Sequence, residues 1–111
     1  MQMAKAISKY IKISPRKARL AADLIRGRSV ADAKMQLMVC NLKAGKLLTK
    51  TLDSAVANAE TQLNLQRDVL KVKEVRVDAG PVLKRSKPKS RGSSVPVMKR
   101  TSHFTIVVAA E

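Results

Sequence analysis

At the start of the chain, apolar and polar residues alternate as in a strand, and a predicted helix follows. Ile7, Ile11 and Ile13 share the odd positions with polar residues between them, which is typical of a half-buried strand. Ser14-Pro15 then predicts a helix start, because the serine hydroxyl can cap an amide and proline needs no donor in the first turn. This helix is expected to run to about Ile25 and to stop near Gly27.

Two further helices follow. Ser29 is expected to cap a short one. A longer helix from about Lys43 to Leu63 has apolar residues at three- and four-residue steps, which predicts the spine of the core. These residues are Ala44, Leu47, Leu48, Leu52, Ala55, Val56, Ala59 and Leu63. Lys43, Lys46 and Lys50 in its first half are either nucleic-acid contacts or a solvated face.

The last third of the chain contains two runs of β-formers, Val69 to Val77 and His103 to Ala109. The first changes phase, which predicts a bulge near Lys73. The second is apolar on both faces in its second half, which predicts an internal strand. The stretch between them has many cations, no acidic residue and several Pro, Gly and Ser, so residues 82–100 are expected to form an extended hairpin arm.

The order strand, helix, helix, helix and hairpin predicts an α+β fold. We expect a small antiparallel sheet packed by three helices, with a long projecting basic β-hairpin. The length of 111 residues favours a single domain covering residues 1–111.

The net charge of the chain limits the kinds of partner that the protein is expected to bind. Lys and Arg number 23 against 8 Asp and Glu, a net charge of +15, and this favours a nucleic acid as partner. A membrane is disfavoured, because the cations lie in a Pro/Gly/Ser segment and not opposite an apolar helix face. The start lacks an apolar secretion signal and Cys40 is the single cysteine, so an intracellular protein is expected.

Aromatic residues and possible catalytic groups are few. Tyr10 and Phe104 are the two aromatics, so base stacking fits poorly and contact with phosphate, sugar and folded RNA shape fits better. His103 has no partner cysteine or nearby carboxylate, so acid-base catalysis is not expected. We expect neither enzymatic activity nor a metal or other cofactor.

Several segments resemble the large-subunit ribosomal protein number twenty-two family (universal L-twenty-two). They are Ser14-Pro15-Arg16-Lys17-Ala18-Arg19, Ile25-Arg26-Gly27, Ser54 to Ala59, and the frame from Leu83-Lys84-Arg85 through Pro88 and Gly92 to Lys99-Arg100-Thr101-Ser102-His103. The resemblance spans essentially the whole chain. Lys89 and Phe104 depart from the residues usual in that family.

The resemblance implies a structural protein of the cytoplasmic ribosome, monomeric within the particle. It would bind large-subunit rRNA, aid its assembly, contact neighbouring ribosomal proteins, and line the nascent-peptide tunnel with its arm. The candidate rRNA-binding residues are Arg16, Lys17, Arg19, Arg26, Lys84, Arg85, Lys87, Lys89, Arg91, Lys99, Arg100 and His103.

Two other classes of function are considered. An architectural DNA-binding protein with a basic β-arm is the alternative, in which Pro88 or Pro96 would act as a minor-groove wedge. Such proteins usually clasp DNA as dimers, so oligomeric state discriminates. An RNA-modifying enzyme comes third, because the sequence has no glycine-rich cofactor loop and no credible acid-base pair.

Overall fold

The structure is a computed structural model that describes residues 3–40, 42–88, 92 and 94–110. Its elements run in the predicted order. They are β1 (Met3–Ile11), α1 (Pro15–Ala22), α2 (Val30–Val39), α3 (Lys43–Gln62), a 3-10 turn (Arg67–Val69), β2 (Leu70–Ala79), β3 (Leu83–Pro88), β4 (Ser94–Lys99) and β5 (Ser102–Ala110).

Three of these strands form an antiparallel sheet in the order β1-β5-β2. Ile106 of β5 lies opposite Ala6 on one side and Val75 on the other. The prediction of an internal last strand is therefore confirmed. Near the end of β5, the successive residues Val108 and Ala109 are both buried, so the strand is covered on both faces, as expected for the central strand of the sheet.

The helices pack on this sheet and confirm the α+β fold. α3 contacts β1, β5, α1 and α2, whereas α1 also contacts β2. The α3 residues Leu48, Leu52 and Ala55 are fully buried, because the predicted apolar stripe faces the sheet and the other two helices. The long helix is thus the spine of one buried cluster.

The predicted face of β1 is wrong in its first half. Ala4 and Ala6 are buried, whereas Ile7 is 50% exposed. The pairing register with β5 shifts between Ser8 and Ile11, and Tyr10 adopts a φ of 58°. Such a bulge reverses the inward face, so Ile11 is partly buried although Ile7 is not.

The helix termini follow the predictions only in part. α1 ends at Ala22, earlier than expected, and Gly27 then turns the chain with a φ of 81°. The Ser14 hydroxyl makes no capping hydrogen bond, contrary to the prediction. The Ser29 hydroxyl does cap α2, accepting from the backbone N–H of Asp32 at 3.3 Å.

The bulge predicted near Lys73 is present, because the β2–β5 register shifts between Val72 and Glu74. β3 and β4 pair only with each other among the described strands, from Leu83 opposite Lys99 to Pro88 opposite Ser94. Six residues of strand extend about 20 Å. The radius of gyration, 16.9 Å, exceeds the roughly 13 Å of a compact chain of this size, as an extended two-stranded segment would require.

Candidate nucleic-acid interface

The sheet ladder is interrupted where β2 and β5 give way to β3 and β4. There the backbone N–H of Gly80 donates to the Thr101 carbonyl at 2.9 Å, and the Thr101 hydroxyl donates to the Pro81 carbonyl at 2.6 Å. The buried Ser102 hydroxyl donates to the carbonyl of Ile13 at 2.7 Å. These bonds fix the base of the two-stranded segment to the rest of the protein.

His103 lies in this base. Its Nδ1 accepts the backbone N–H of Tyr10 at 3.1 Å, and the two rings meet edge to face with centroids 5.0 Å apart. Since Nδ1 is an acceptor here, the neutral ring carries its proton on Nε2. His103 therefore orders the β1 bulge, and donation from Nε2 to RNA stays a prediction.

Two of the four predicted cations in and after α1 bind the edge strand β2. Arg19 donates from Nε and Nη2 to the carbonyl of Val77 at 3.2 and 3.1 Å. Arg26 donates to the carbonyl of Val75 at 2.9 Å and to Asp23 at 2.6 Å. These arginines satisfy the carbonyl groups that an edge strand leaves unpaired. Sequence reasoning did not predict this structural role.

Arg16 and Lys17 differ from these arginines. Both are exposed and neither has a hydrogen bond or ion pair to another described residue. They are free to meet a ligand, whereas Arg19 and Arg26 are already engaged through part of their guanidinium groups.

This difference gives a stability prediction. Arg19→Met keeps much of the aliphatic stem but removes both donors to Val77. We expect the free energy of unfolding to fall by about 1 kcal/mol. The expected loss is small because Arg19 is exposed and solvent screens its interactions. Arg16→Met is the matched control and should change it by less than about 0.5 kcal/mol. Urea denaturation of both variants checks this. Equal losses would show that the Val77 contact contributes nothing to stability.

The predicted cations of β3, β4 and the residue after it are all exposed. They are Lys84, Arg85, Lys87, Lys99 and Arg100. No carboxylate pairs with any of them in the part of the chain that the structure describes. Lys89 and Arg91 lie outside the described residues.

Two pockets of about 620 and 370 Å³ lie beside the base of this segment and share Lys12 and Arg100. We call them together the junction cleft. Among the described residues, six cations and no carboxylate line it: Lys12, Lys17, Lys43, Arg85, Lys99 and Arg100. Residues from β4, from β3 and from the starts of α1 and α3 thus meet in one place.

Five cations elsewhere on the protein have acidic partners. The ion pairs are Arg26–Asp23, Arg28–Asp32, Lys34–Asp53, Arg67–Glu60 and Arg76 with Glu74 and Asp78. The hydrogen bond and charge of Glu60 raise the pKa of Arg67. A third pocket near α2 is lined by Met35, Met38 and Val39 and bordered by paired Lys34 and Arg67. The junction cleft and β3 each carry several cations without an acidic partner among the described residues, and Lys5, Lys9, Arg16, Lys46 and Lys50 are further unpaired cations outside them.

Sequence reasoning missed one cleft residue and left another open. Lys12 is not among the predicted site residues, and for Lys43 the sequence allows either an RNA contact or a solvated face. The alternation of charged and apolar residues around Ile11 and Ile13 was the available signal for Lys12, but its neighbours in space come from distant segments.

Within residues 3–40, 42–88, 92 and 94–110, no three His, Cys, Asp or Glu side chains are grouped as metal ligands.

In the same described ranges, no helix has both the length and the hydropathy needed to cross a membrane.

The fold and its surface define a basic α+β protein with exposed cations that have no acidic partner among the described residues. A model of the family described as ribosomal protein L22p/L17e matches residues 6–109. The chain therefore belongs to the ribosomal protein L22p/L17e family. This confirms the resemblance found in the sequence, a location in the cytoplasmic ribosome, and the prediction that the protein is not an enzyme.

Individual relatives agree with this assignment. The large ribosomal subunit protein uL22 of Protochlamydia amoebophila (strain UWE25) is 72% identical over 109 residues, covering 98% of each chain. The protein of the same name from Chlamydia muridarum (strain MoPn / Nigg) is 59% identical over 106 residues, covering 96% of each. The similarity thus extends over nearly the full length of the relatives.

Proposed function

We propose that this protein is a structural component of the large ribosomal subunit that binds large-subunit rRNA and aids its assembly. The observation that carries the proposal is the group of exposed cations without acidic partners along β3 and in the junction cleft. Each such cation can neutralise a phosphate and release a counterion, which favours RNA binding. Cations paired with carboxylates contribute less.

The arm of residues 82–100 has a second role in this proposal: it lines the nascent-peptide exit tunnel. Every residue of β3 is exposed, so this strand needs a surrounding partner to hold its position. RNA packed along its lysines and arginines would supply that partner. The nascent peptide and the neighbouring ribosomal proteins are the further partners that the family resemblance implies.

The site residues proposed for rRNA fall into two groups by geometry. Arg16, Lys17 and the described arm cations are exposed without acidic partners. Arg19, Arg26 and His103 act also within the protein, so their substitution would change folding as well as binding. The first group therefore gives the cleaner binding variants.

Sedimentation of a cell extract at about 0.5 M salt, where the Debye length is roughly 4 Å, tests the proposed function. We expect the protein to migrate with the large ribosomal subunit, since an embedded arm is retained when loose electrostatic association is screened. Release to the top of the gradient would contradict the proposal. Migration with DNA would favour the alternative of an architectural DNA-binding protein.

A charge variant tests the arm. Replacing Lys84, Arg85 and Lys87 by glutamine should flatten the dependence of log K on log salt by up to about 2.7, at about 0.7 to 0.9 per lost phosphate contact. Filter binding to purified large-subunit rRNA measures the slope. The control replaces Arg28, Lys34 and Arg67, which are ion-paired, by glutamine. Equal slopes for the two triple variants would remove β3 from the interface.

A further inference from the structure

The junction cleft combines charge with an apolar floor. Ile13 and Ala44 are buried at its base, and Leu20 and Leu42 line it while remaining 60% and 41% exposed. Exposed leucines inside a group of cations leave apolar surface in contact with water. A ligand with an anionic group and a flat apolar face would cover both the cations and the leucines.

We infer that the cleft binds a short unpaired segment of rRNA, with one unstacked nucleotide in its larger pocket. The phosphate of this nucleotide would lie among Lys12, Lys17 and Lys43, and its base would cover Leu20 and Leu42. This inference rests on the proposed rRNA binding and assigns to it a particular site and RNA conformation.

The size and the charge of the cleft support a nucleotide as ligand. A volume of about 620 Å³ lies within the range of roughly 300–1,000 Å³ typical of pockets for small organic groups. Proteins recognise unpaired RNA by accommodating splayed bases, and an arginine guanidinium can stack on a base where aromatic rings are few. Arg100 lines both pockets of the cleft and supplies such a plane.

The position of the cleft has a mechanical consequence. Lys12 and Lys43 belong to segments around β1 and α3, whereas Arg85, Lys99 and Arg100 belong to the base of the arm. RNA that passes from the larger pocket to the smaller one would contact both parts at once. Binding there would fix the direction in which the arm leaves the protein.

A double-mutant cycle tests whether Lys12 and Lys43 share one phosphate. Lys12→Gln, Lys43→Gln and the double variant are compared with the parent for binding to purified large-subunit rRNA across a salt series. We expect the second substitution to weaken binding less than the first, and the double variant to lose one phosphate contact, about 0.7 to 0.9 in slope. Additive losses would contradict a shared phosphate, and the double variant of ion-paired Lys34 and Arg67 is the control.

Photo-crosslinking tests the unstacked nucleotide. A photoreactive amino acid placed at Leu20 or at Leu42 should crosslink to the same unpaired nucleotide or its direct neighbour. The same group at Met38, which lies in α2 and is 76% exposed, should not. Crosslinks confined to base-paired RNA, or none at either leucine, would overturn the inference. Circular dichroism of each variant verifies folding.

The outcomes separate this inference from the proposed function. A parent protein whose binding to large-subunit rRNA is insensitive to salt would contradict both. Strong, salt-dependent binding by the parent, with cleft variants equal to the Lys34 and Arg67 control, would overturn the cleft alone.

Discussion

Phe104→Ala is expected to lower the free energy of unfolding by about 3–5 kcal/mol. Phe104 is fully buried in the central strand β5 and is the largest of the fully buried side chains. Its ring lies between the sheet and the helices, so truncation removes apolar contacts and leaves a cavity that the surrounding strands cannot fill. Since small domains are stable by about 5–15 kcal/mol, this change removes a large share of the total.

Urea denaturation followed by far-ultraviolet circular dichroism measures this effect, because the chain has no tryptophan to report on it. Phe104→Leu retains most of the apolar volume and should cost about 1 kcal/mol. Met38→Ala, at a highly exposed position, should change stability by less than about 0.5 kcal/mol. A loss for Phe104→Ala as small as that for Met38→Ala would show that the ring does not support the core.

Gly80→Ala is expected to destabilise the protein by about 1–3 kcal/mol through overpacking. A Cβ atom at this position would lie 2.5 Å from the Thr101 hydroxyl oxygen and 3.1 Å from Cε1 of His103. The hydroxyl is held by its bond to the carbonyl of Pro81, so it cannot move away without breaking that bond. The substitution therefore disturbs the base of the β3–β4 pair as well as the sheet.

The same substitution in a Thr101→Ala protein separates this clash from other effects of replacing Gly80 by alanine. Thr101→Ala removes the hydroxyl, so Gly80→Ala should cost less in a protein that already carries Thr101→Ala. Thermal unfolding of the two single variants and the double variant gives the coupling. Strictly additive losses would mean that contact with the Thr101 hydroxyl is not the source of the destabilisation. Gly92→Ala is no substitute control, because its φ of 73° introduces backbone strain.

The predicted elements agree best with the structure where short-range signals decide the conformation. The apolar stripe of α3, the Ser29 cap and the bulge between Val72 and Glu74 depend on residues a few positions apart. Composition likewise indicated a polyanion as partner, since net charge is independent of folding. The internal position of β5 followed from its two apolar faces.

The inward face of β1 required the tertiary structure. Its bulge depends on a hydrogen bond between Tyr10 and His103, residues far apart in the sequence, so alternation read past Tyr10 placed Ile7 inward. Ala4 and Ala6 gave only a weak sequence signal as core residues, because alanine is only weakly hydrophobic. Its small side chain suits the close packing of β1 against α3.

For the candidate interface, the amino-acid sequence shows which residues carry charge and that many of them lie in one segment. What each charged side chain contacts depends on the fold. Arg19 binds the Val77 carbonyl, whereas Lys12, Lys43 and Arg100 come together in the junction cleft. The physical reason is that electrostatic and hydrogen-bonding partners are set by distance in space, which for these residues is fixed by the packing of helices on the sheet.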